Sequence, residues 1–441
     1  VVWNLPLLES GNPDNELSVQ QDGAVVRRTV LPGGVRVLSE QLPGQRSASI
    51  GAWVNVGSRD ERSGHFGSTH FLEHLLFKGT KRRTAMDIAE AFDAVGGEAN
   101  AVTGKENTCY YARVLDTDLP MAVDVISDMV TSALIDPDEL ETERGVILEE
   151  LAMNDDDPGD VVHEKFSETV LAGHDLGRPI GGTPETINAV PREAVWEHYQ
   201  NHYQPETLVF TAAGNIDHDA LCAQISDELV RGGWNLTPGA TPRVRRDTTP
   251  IEGIGLKGRE VTVTRQVEQA NVIIGSTGIT GTDERRFQLS VLSAVLGGGM
   301  SSRLFQEIRE RRGLAYSTYC FGSSHVGIGT FGLYAGCAPS KIDEVSKLMV
   351  VELEKMADAG ITESELRRSI GQLSGSLVLG LEDSGSRMNR LGRAELVTGE
   401  LLSLQESLER IKSVTREEVQ KLAAELAARP RSVVRVGPFA A

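Results

Sequence analysis

The spacing of apolar residues changes repeatedly along this chain, and each change predicts an element. Val35-Arg36-Val37-Leu38 and Ser49-Ile50-Gly51-Ala52-Trp53-Val54-Asn55-Val56 alternate in part and read as strands. Phe71, Leu72, Leu75 and Leu76 then fall on one face of a helix, with Ser68 or Thr69 suited to its start and Gly79 to the C′ position. A second helix over 85–95 stops at Gly96-Gly97. Strands follow over 98–103 and 108–114, then a long helix over 119–133. Asp136 as N-cap, Pro137 at the first helical position and Glu139 two residues on start another helix, which runs through Glu143, Val146, Ile147 and Glu150 to about Met153. Residues 1–21 lack periodicity and predict a flexible arm.

Between 232 and 258 the composition turns to Gly, Pro, Thr and Arg, the best linker candidate in the chain. A repeat supports a division there. Ile187-Asn188-Ala189-Val190-Pro191-Arg192-Glu193-Ala194-Val195 matches Ile411-Lys412-Ser413-Val414-Thr415-Arg416-Glu417-Glu418-Val419, and a helical stretch and a strand follow each copy. The expected fold class is α+β, in two homologous domains. Each is an antiparallel-rich sheet with helices packed on one face. The expected bounds are 22–240 and 256–441, with a linker over 241–255.

Charge and cysteine content narrow the function. At 441 residues the formal charge is −19, which argues against a nucleic-acid partner. No apolar run approaches the roughly 18–20 residues of a membrane span. The four cysteines form no CxxC pair and fit buried thiols of a reducing compartment. The first residues lack the basic and apolar regions of a signal peptide. A cytoplasmic location is expected, or the mitochondrial matrix if a transit peptide has been removed.

The chemistry concentrates in His70-Phe71-Leu72-Glu73-His74. On a helix these histidines and the glutamate project from one face, so both imidazoles reach one ion. Hydrolytic zinc takes three protein ligands. The helix after Pro137 offers Glu143 and Glu150, seven apart on one face. Glu149 is the rival, pointing about 100° from Glu150. Gly145 on that helix predicts close approach of a neighbour. Glu73, beside the metal pair, is the natural general base. His198 and His202 are also four apart but lack a matching carboxylate helix, so they read as ordinary helix residues. Asp155-Asp156-Asp157 read as a solvated loop, with recognition of basic substrate residues as the alternative.

These stretches, together with Glu143-Arg144-Gly145-Val146-Ile147-Leu148-Glu149-Glu150, Gly96-Gly97-Glu98-Ala99-Asn100-Ala101-Val102-Thr103 and Leu314-Ala315-Tyr316-Ser317, resemble the pitrilysin–insulinase (M16) family of zinc peptidases. The similarity is greatest to the branch holding the mitochondrial processing peptidase β subunit and its bacterial relatives, and it extends from about Val35 to the C-terminus. The resemblance implies a zinc metalloendopeptidase acting on peptides or unfolded segments inside a clam-like chamber. It implies one Zn2+ per chain held by His70, His74 and Glu150, with Glu143 supporting a ligand and Glu73 as base. It implies that Ala99, Asn100, Ala101, Val102 and Thr103 form an edge strand for the substrate. Arg309 and Tyr316 are implied to contact the substrate backbone and the developing oxyanion. The implied assembly is a homodimer, or a heterodimer with an inactive homologue.

Overall fold

A computed structural model describes residues 1–21 and 23–439. The chain forms two compact units. The first comprises Val1–Leu151, Ile180–Arg245 and Gly380–Ser403; the second comprises Ala152–Pro179, Arg246–Leu379 and Leu404–Ala441.

Each unit is built on one sheet, and the two sheets share a plan. In the first the strand order is Leu17–Gln21, Ala24–Val30, Arg36–Gln41, Leu208–Gly214, Ser47–Val54, Thr108–Leu115, Glu98–Thr103. In the second it is Glu260–Thr264, Ser432–Gly437, Ala270–Gly278, Gly329–Cys337, Ala315–Ser324. The last five strands of the first sheet correspond in order to the five of the second. Each set has one parallel pair, Arg36–Gln41 with Leu208–Gly214 and Glu260–Thr264 with Ser432–Gly437, and is otherwise antiparallel. The nine-residue repeat falls on the helices just before the later strand of each parallel pair. The duplication read from the sequence is therefore a duplication of topology.

One face of each sheet carries the expected layer of helices. In the first unit, Leu72, Ile126, Ile147, Val195 and Ile225 from five helices pack on Ile50, Ala112 and Phe210. The opposite face is also covered, by one helix that arrives from the other half of the sequence. Met388 and Leu391 of Ser384–Arg393 pack on Trp53, Cys109 and Val209 of the first sheet. Val162, Phe166 and Val170 of Pro158–Val170 pack on Ile273, Val434 and Val436 of the second. Approach is close: a Cβ on Gly392 would meet the Trp53 ring at 2.5 Å, and one on Gly275 would meet Phe166 Cζ at 2.7 Å. Burial on both faces explains why the central strands show only partial alternation. All seven residues of Leu208–Gly214 are buried.

The expected bounds 22–240 and 256–441 are continuous, whereas the contacts place 152–179 and 380–403 with the opposite unit. Asp22 and Ala441, at two of those bounds, lie outside the described residues. The division between Arg245 and Arg246 falls inside the expected linker, which has no helix or strand from Gly232 to Arg259.

The arm expected to be flexible is ordered. Val2–Asn4 pairs antiparallel with Glu400–Leu402, Leu17–Gln21 is an edge strand, and Leu5 and Asn15 are buried. A buried ion cluster holds it. Arg28 binds Glu395 at 2.9 Å and donates to the carbonyls of Asn15 and Pro6, each at 2.8 Å. Arg245 donates to the Leu5 carbonyl at 2.8 Å and approaches Glu395 at 3.2 Å. Arg36 lies 3.6 Å from Glu395, and burial lowers its pKa to about 10, opposed by that carboxylate. Glu395→Ala leaves three guanidinium groups without their common anion. A loss of about 3–5 kcal/mol is expected in urea unfolding, by analogy with breaking one side of a buried ion pair.

Candidate metal centre and active site

The histidine helix, Ser68–Leu76, begins after Gly67, whose φ of 91° is left-handed and where a Cβ would meet Ile187 Cδ1 at 2.4 Å. Its cap is neither Ser68 nor Thr69. Instead the buried Glu61 carboxylate accepts the backbone N–H of Gly67 at 2.9 Å and of Thr69 at 2.8 Å. It satisfies amides that the helix leaves unpaired and places negative charge at the positive end of the macrodipole. Gly79 is not at C′ either. The helix closes at Phe77, and Gly79, with φ 134°, bridges to Thr84.

The second carrier helix, Pro137–Asp156, starts as its sequence predicts, with Asp136 Oδ1 accepting from Asp138 N–H at 2.9 Å and Glu139 N–H at 3.2 Å. Glu143 on this helix is buried against the first. Its Oε2 accepts from His74 Nδ1 at 2.9 Å, and Lys78 Nζ lies 2.6 Å from its Oε1. Burial opposes ionisation of Glu143, but Lys78 and His74 outweigh it and hold the carboxyl below its ordinary range. A carboxylate facing Nδ1 fixes the proton there and leaves His74 Nε2 with its lone pair outward.

That lone pair meets two further donors. His74 Nε2 is 3.3 Å from His70 Nε2, and Glu150 Oε2 is 3.5 Å from His74 Nε2 and 3.6 Å from His70 Nε2. Donors about 2.0–2.1 Å from one tetrahedral zinc stand about 3.4 Å apart, so this triangle fits the ion. Burial, then the neighbouring His74, push His70 down to about 4, so it is a neutral imidazole at pH 7. Among the described residues these three form the one group of three or more candidate ligands whose atoms converge.

The rivals separate cleanly. Glu149 is exposed on the same helix. His198 is buried and shares a 3.0 Å hydrogen bond with Thr69 Oγ1, and burial followed by His202 lowers its pKa to about 3. Two expectations about the second helix fail. A Cβ on Gly145 would meet nothing within 4 Å, so no neighbour approaches there. Asp155 and Asp156 end the helix rather than forming a loop. Asp155 pairs with Arg265 at 2.6 Å, and Asp157 caps the next helix by accepting from Gly159 N–H at 2.7 Å.

Glu73 lies on the same helix as the two histidines, half-buried, and its Oε2 accepts a hydrogen bond from the hydroxyl of Thr103. Thr103 ends the strand Glu98–Thr103, which is the outermost strand of its sheet. Ala99, Ala101 and Thr103 form its more buried row, while Glu98, Asn100 and Val102 are exposed. The turn after it is fastened by the segment before the histidine helix. Ser58 N–H donates to Gly104 O at 3.2 Å, Arg59 N–H donates to Lys105 O at 2.9 Å, and Arg59 pairs with Glu106 at 2.6 Å. The segment Gly57–Glu61 thus grips the hairpin at one end and the metal helix at the other. No motif in the sequence signalled its grip on the hairpin, where Arg59 and Glu106 stand 47 residues apart. Beside the start of the strand is an open pocket of about 670 Å³, walled by Phe77, Ile88 and Phe92 with Lys78 and Asp93.

Arg309 and Tyr316 belong to the second unit and come together there. The guanidinium lies 4.4 Å from the centre of the Tyr316 ring, and Nη1 donates to the Tyr316 carbonyl at 3.1 Å. The pairing register slips between Ala315 and Ser317, so Tyr316 is the extra residue of a bulge, and it is 75% exposed. Bulges re-aim a side chain, here out of the sheet.

The family models agree with this architecture. Residues 36–184 match Insulinase (Peptidase family M16), and residues 189–373 match Peptidase M16 inactive domain. An uncharacterized zinc protease of Streptomyces coelicolor is 50% identical over 417 residues, 94% of this chain and 90% of that protein. An uncharacterized zinc protease of Bacillus subtilis is 36% identical over 416 residues, 94% of this chain and 98% of that protein. A protease from Helicobacter pylori has the same fold, with TM-score 0.82 and 21% identity, covering 98% of this chain and 100% of that one. The chain belongs to peptidase family M16. No helix among the described residues is long and apolar enough to cross a membrane.

The buried imidazoles set a pH dependence. His70, His198 and His218 are lowered from 6.5 to about 4, about 3 and about 4, each chiefly by burial. The unfolded chain therefore takes up more protons in this range. The stability they contribute is complete above about pH 6.5 and is lost as pH falls toward 4. Calorimetry of the metal-free protein is expected to show Tm falling from pH 7 to pH 4, with a shallower slope in His198→Gln. A flat profile would refute this.

Proposed function

We propose that this chain is a zinc metalloendopeptidase that hydrolyses peptides or unfolded, extended polypeptide segments. The observation that carries the reading is the convergence of His70 Nε2, His74 Nε2 and Glu150 Oε2, 3.3–3.6 Å from one another, on the helix that also bears Glu73 and on its neighbour. The name zinc protease, borne by relatives that span nearly the whole chain, supports it.

In this reading His70, His74 and Glu150 hold one zinc ion per chain, and Glu143 orients His74. A bound zinc supplies Lewis acidity, which lowers the pKa of water and polarises a carbonyl. Glu73 takes the proton of the attacking water as the new C–O bond forms. With Oε2 engaged by Thr103, Oε1 is the atom that holds it. Returning that proton to the amide nitrogen lets the C–N bond break and the amine leave. The strand Glu98–Thr103 offers its open edge to an extended peptide, an interaction that reads backbone more than side chain. The pocket beside it receives one side chain of that peptide.

Arg309 and Tyr316 are two donors suited to the substrate backbone and the developing oxyanion. We assign them to the site of a second copy in a homodimer that encloses the substrate in a chamber.

Glu73→Gln is expected to retain stoichiometric zinc and lose at least about 100-fold in kcat on a quenched peptide. Glu150→Ala is expected to lose the metal, and unchanged zinc content would move the third ligand to Glu143 or Glu149. Mixing Glu73→Gln with Arg309→Ala protein is expected to restore activity that neither has alone. No restoration would remove the action in trans.

A further inference from the structure

We propose that Thr103 is a positioning residue for the general base, so that the strand that receives the peptide also orients the carboxylate that takes the proton of the attacking water. The proposal rests on the assignment of Glu73 as base. Three observations carry it.

The first is the hydrogen bond itself. Thr103 Oγ1 donates to Glu73 Oε2, from a residue that is 8% exposed. A carboxylate on a flexible two-methylene stem has several rotamers, and a fixed donor on one oxygen selects among them. The second is the position of Thr103 at the end of the more buried row of the outermost strand, after Ala99 and Ala101. The two alanines put only methyl groups on that side, and Thr103 is the residue of that row with a hydroxyl. The third is the anchoring of the turn that follows. Ser58 N–H to Gly104 O at 3.2 Å, Arg59 N–H to Lys105 O at 2.9 Å and the Arg59–Glu106 pair at 2.6 Å tie it down. The same segment carries Glu61, which caps the helix bearing Glu73 at 2.8–2.9 Å. The donor and the acceptor of the Thr103–Glu73 bond are thus referenced to one short stretch of backbone.

A hydroxyl used this way acts on turnover more than on binding, since peptide pairing uses the strand's main chain. The test compares Thr103→Val, which keeps the shape and removes the donor, with Thr103→Ser, which keeps the donor. Both are made in the zinc-loaded full chain and assayed on one quenched peptide. Thr103→Val is expected to hold its zinc and its KM within about twofold while kcat falls about tenfold or more. Thr103→Ser is expected to recover most of kcat, and Thr103→Ala to behave as Thr103→Val does.

A wild-type kcat in Thr103→Val overturns the proposal. So does equal impairment of the Val and Ser variants, which would mark a packing effect, and so does a loss confined to KM. Glu73→Gln run in parallel separates the two readings. If it is inert while Thr103→Val is unimpaired, only the positioning role fails. If it is fully active, the base assignment fails and this proposal falls with it.

Discussion

The contact on which the site depends is the one between His74 and Glu143. A buried carboxylate requires compensation, and Glu143 finds it in His74 Nδ1 at 2.9 Å and Lys78 Nζ at 2.6 Å. Both partners lie in or just after the histidine helix, so the bond sets how the two carrier helices register against each other. Glu150, two turns further along, then meets both imidazoles with one oxygen. Without Glu143, the ligand helices would be aligned by apolar contacts such as those of Ile147 and by the Arg144 guanidinium, 5.5 Å from the centre of the Phe71 ring. Those contacts are not directional enough to fix a separation of a few ångströms.

A second constraint comes from the duplicated sheets. Five strands in the same order, with one parallel pair each, bury both faces, and a single layer of helices covers only one. The remaining faces are closed by an exchange: Ser384–Arg393 lies on the first sheet and Pro158–Val170 on the second. Each half of the sequence therefore contributes to the core of the other's unit. The buried Glu395, on the segment after the first of these helices, gathers Arg28, Arg36 and Arg245 around it.

Around the candidate metal ligands, precision comes from short local ties rather than from bulk packing. Glu61 caps the histidine helix, its neighbours Ser58 and Arg59 hold the hairpin, and Thr103 reaches from that hairpin to Glu73. On the second unit, one extra residue in the register turns Tyr316 out of its sheet beside Arg309. The duplication thus left two outermost strands in corresponding places, Glu98–Thr103 and Ala315–Ser324, with different side-chain equipment.

What the sequence determined by itself was local or repeated. The spacing of His70, Glu73 and His74, the seven-residue step from Glu143 to Glu150, the Asp136 cap and the copied nine-residue stretch all rest on helical or strand periods, which a chain displays without folding. Fold class and the candidate ligand set follow from those periods and the resemblance they carry. Tertiary structure alone decided that the first 21 residues are ordered, that two helices change sides, that Glu61 rather than Ser68 caps the metal helix, and that Thr103 faces Glu73. Arg28 and Glu395 stand 367 residues apart, and Thr103 and Glu73 stand 30 apart. Pairings at such separations leave no period in the chain. They arise only when a buried polar group must find a partner among whatever the packed sheets and helices bring near it.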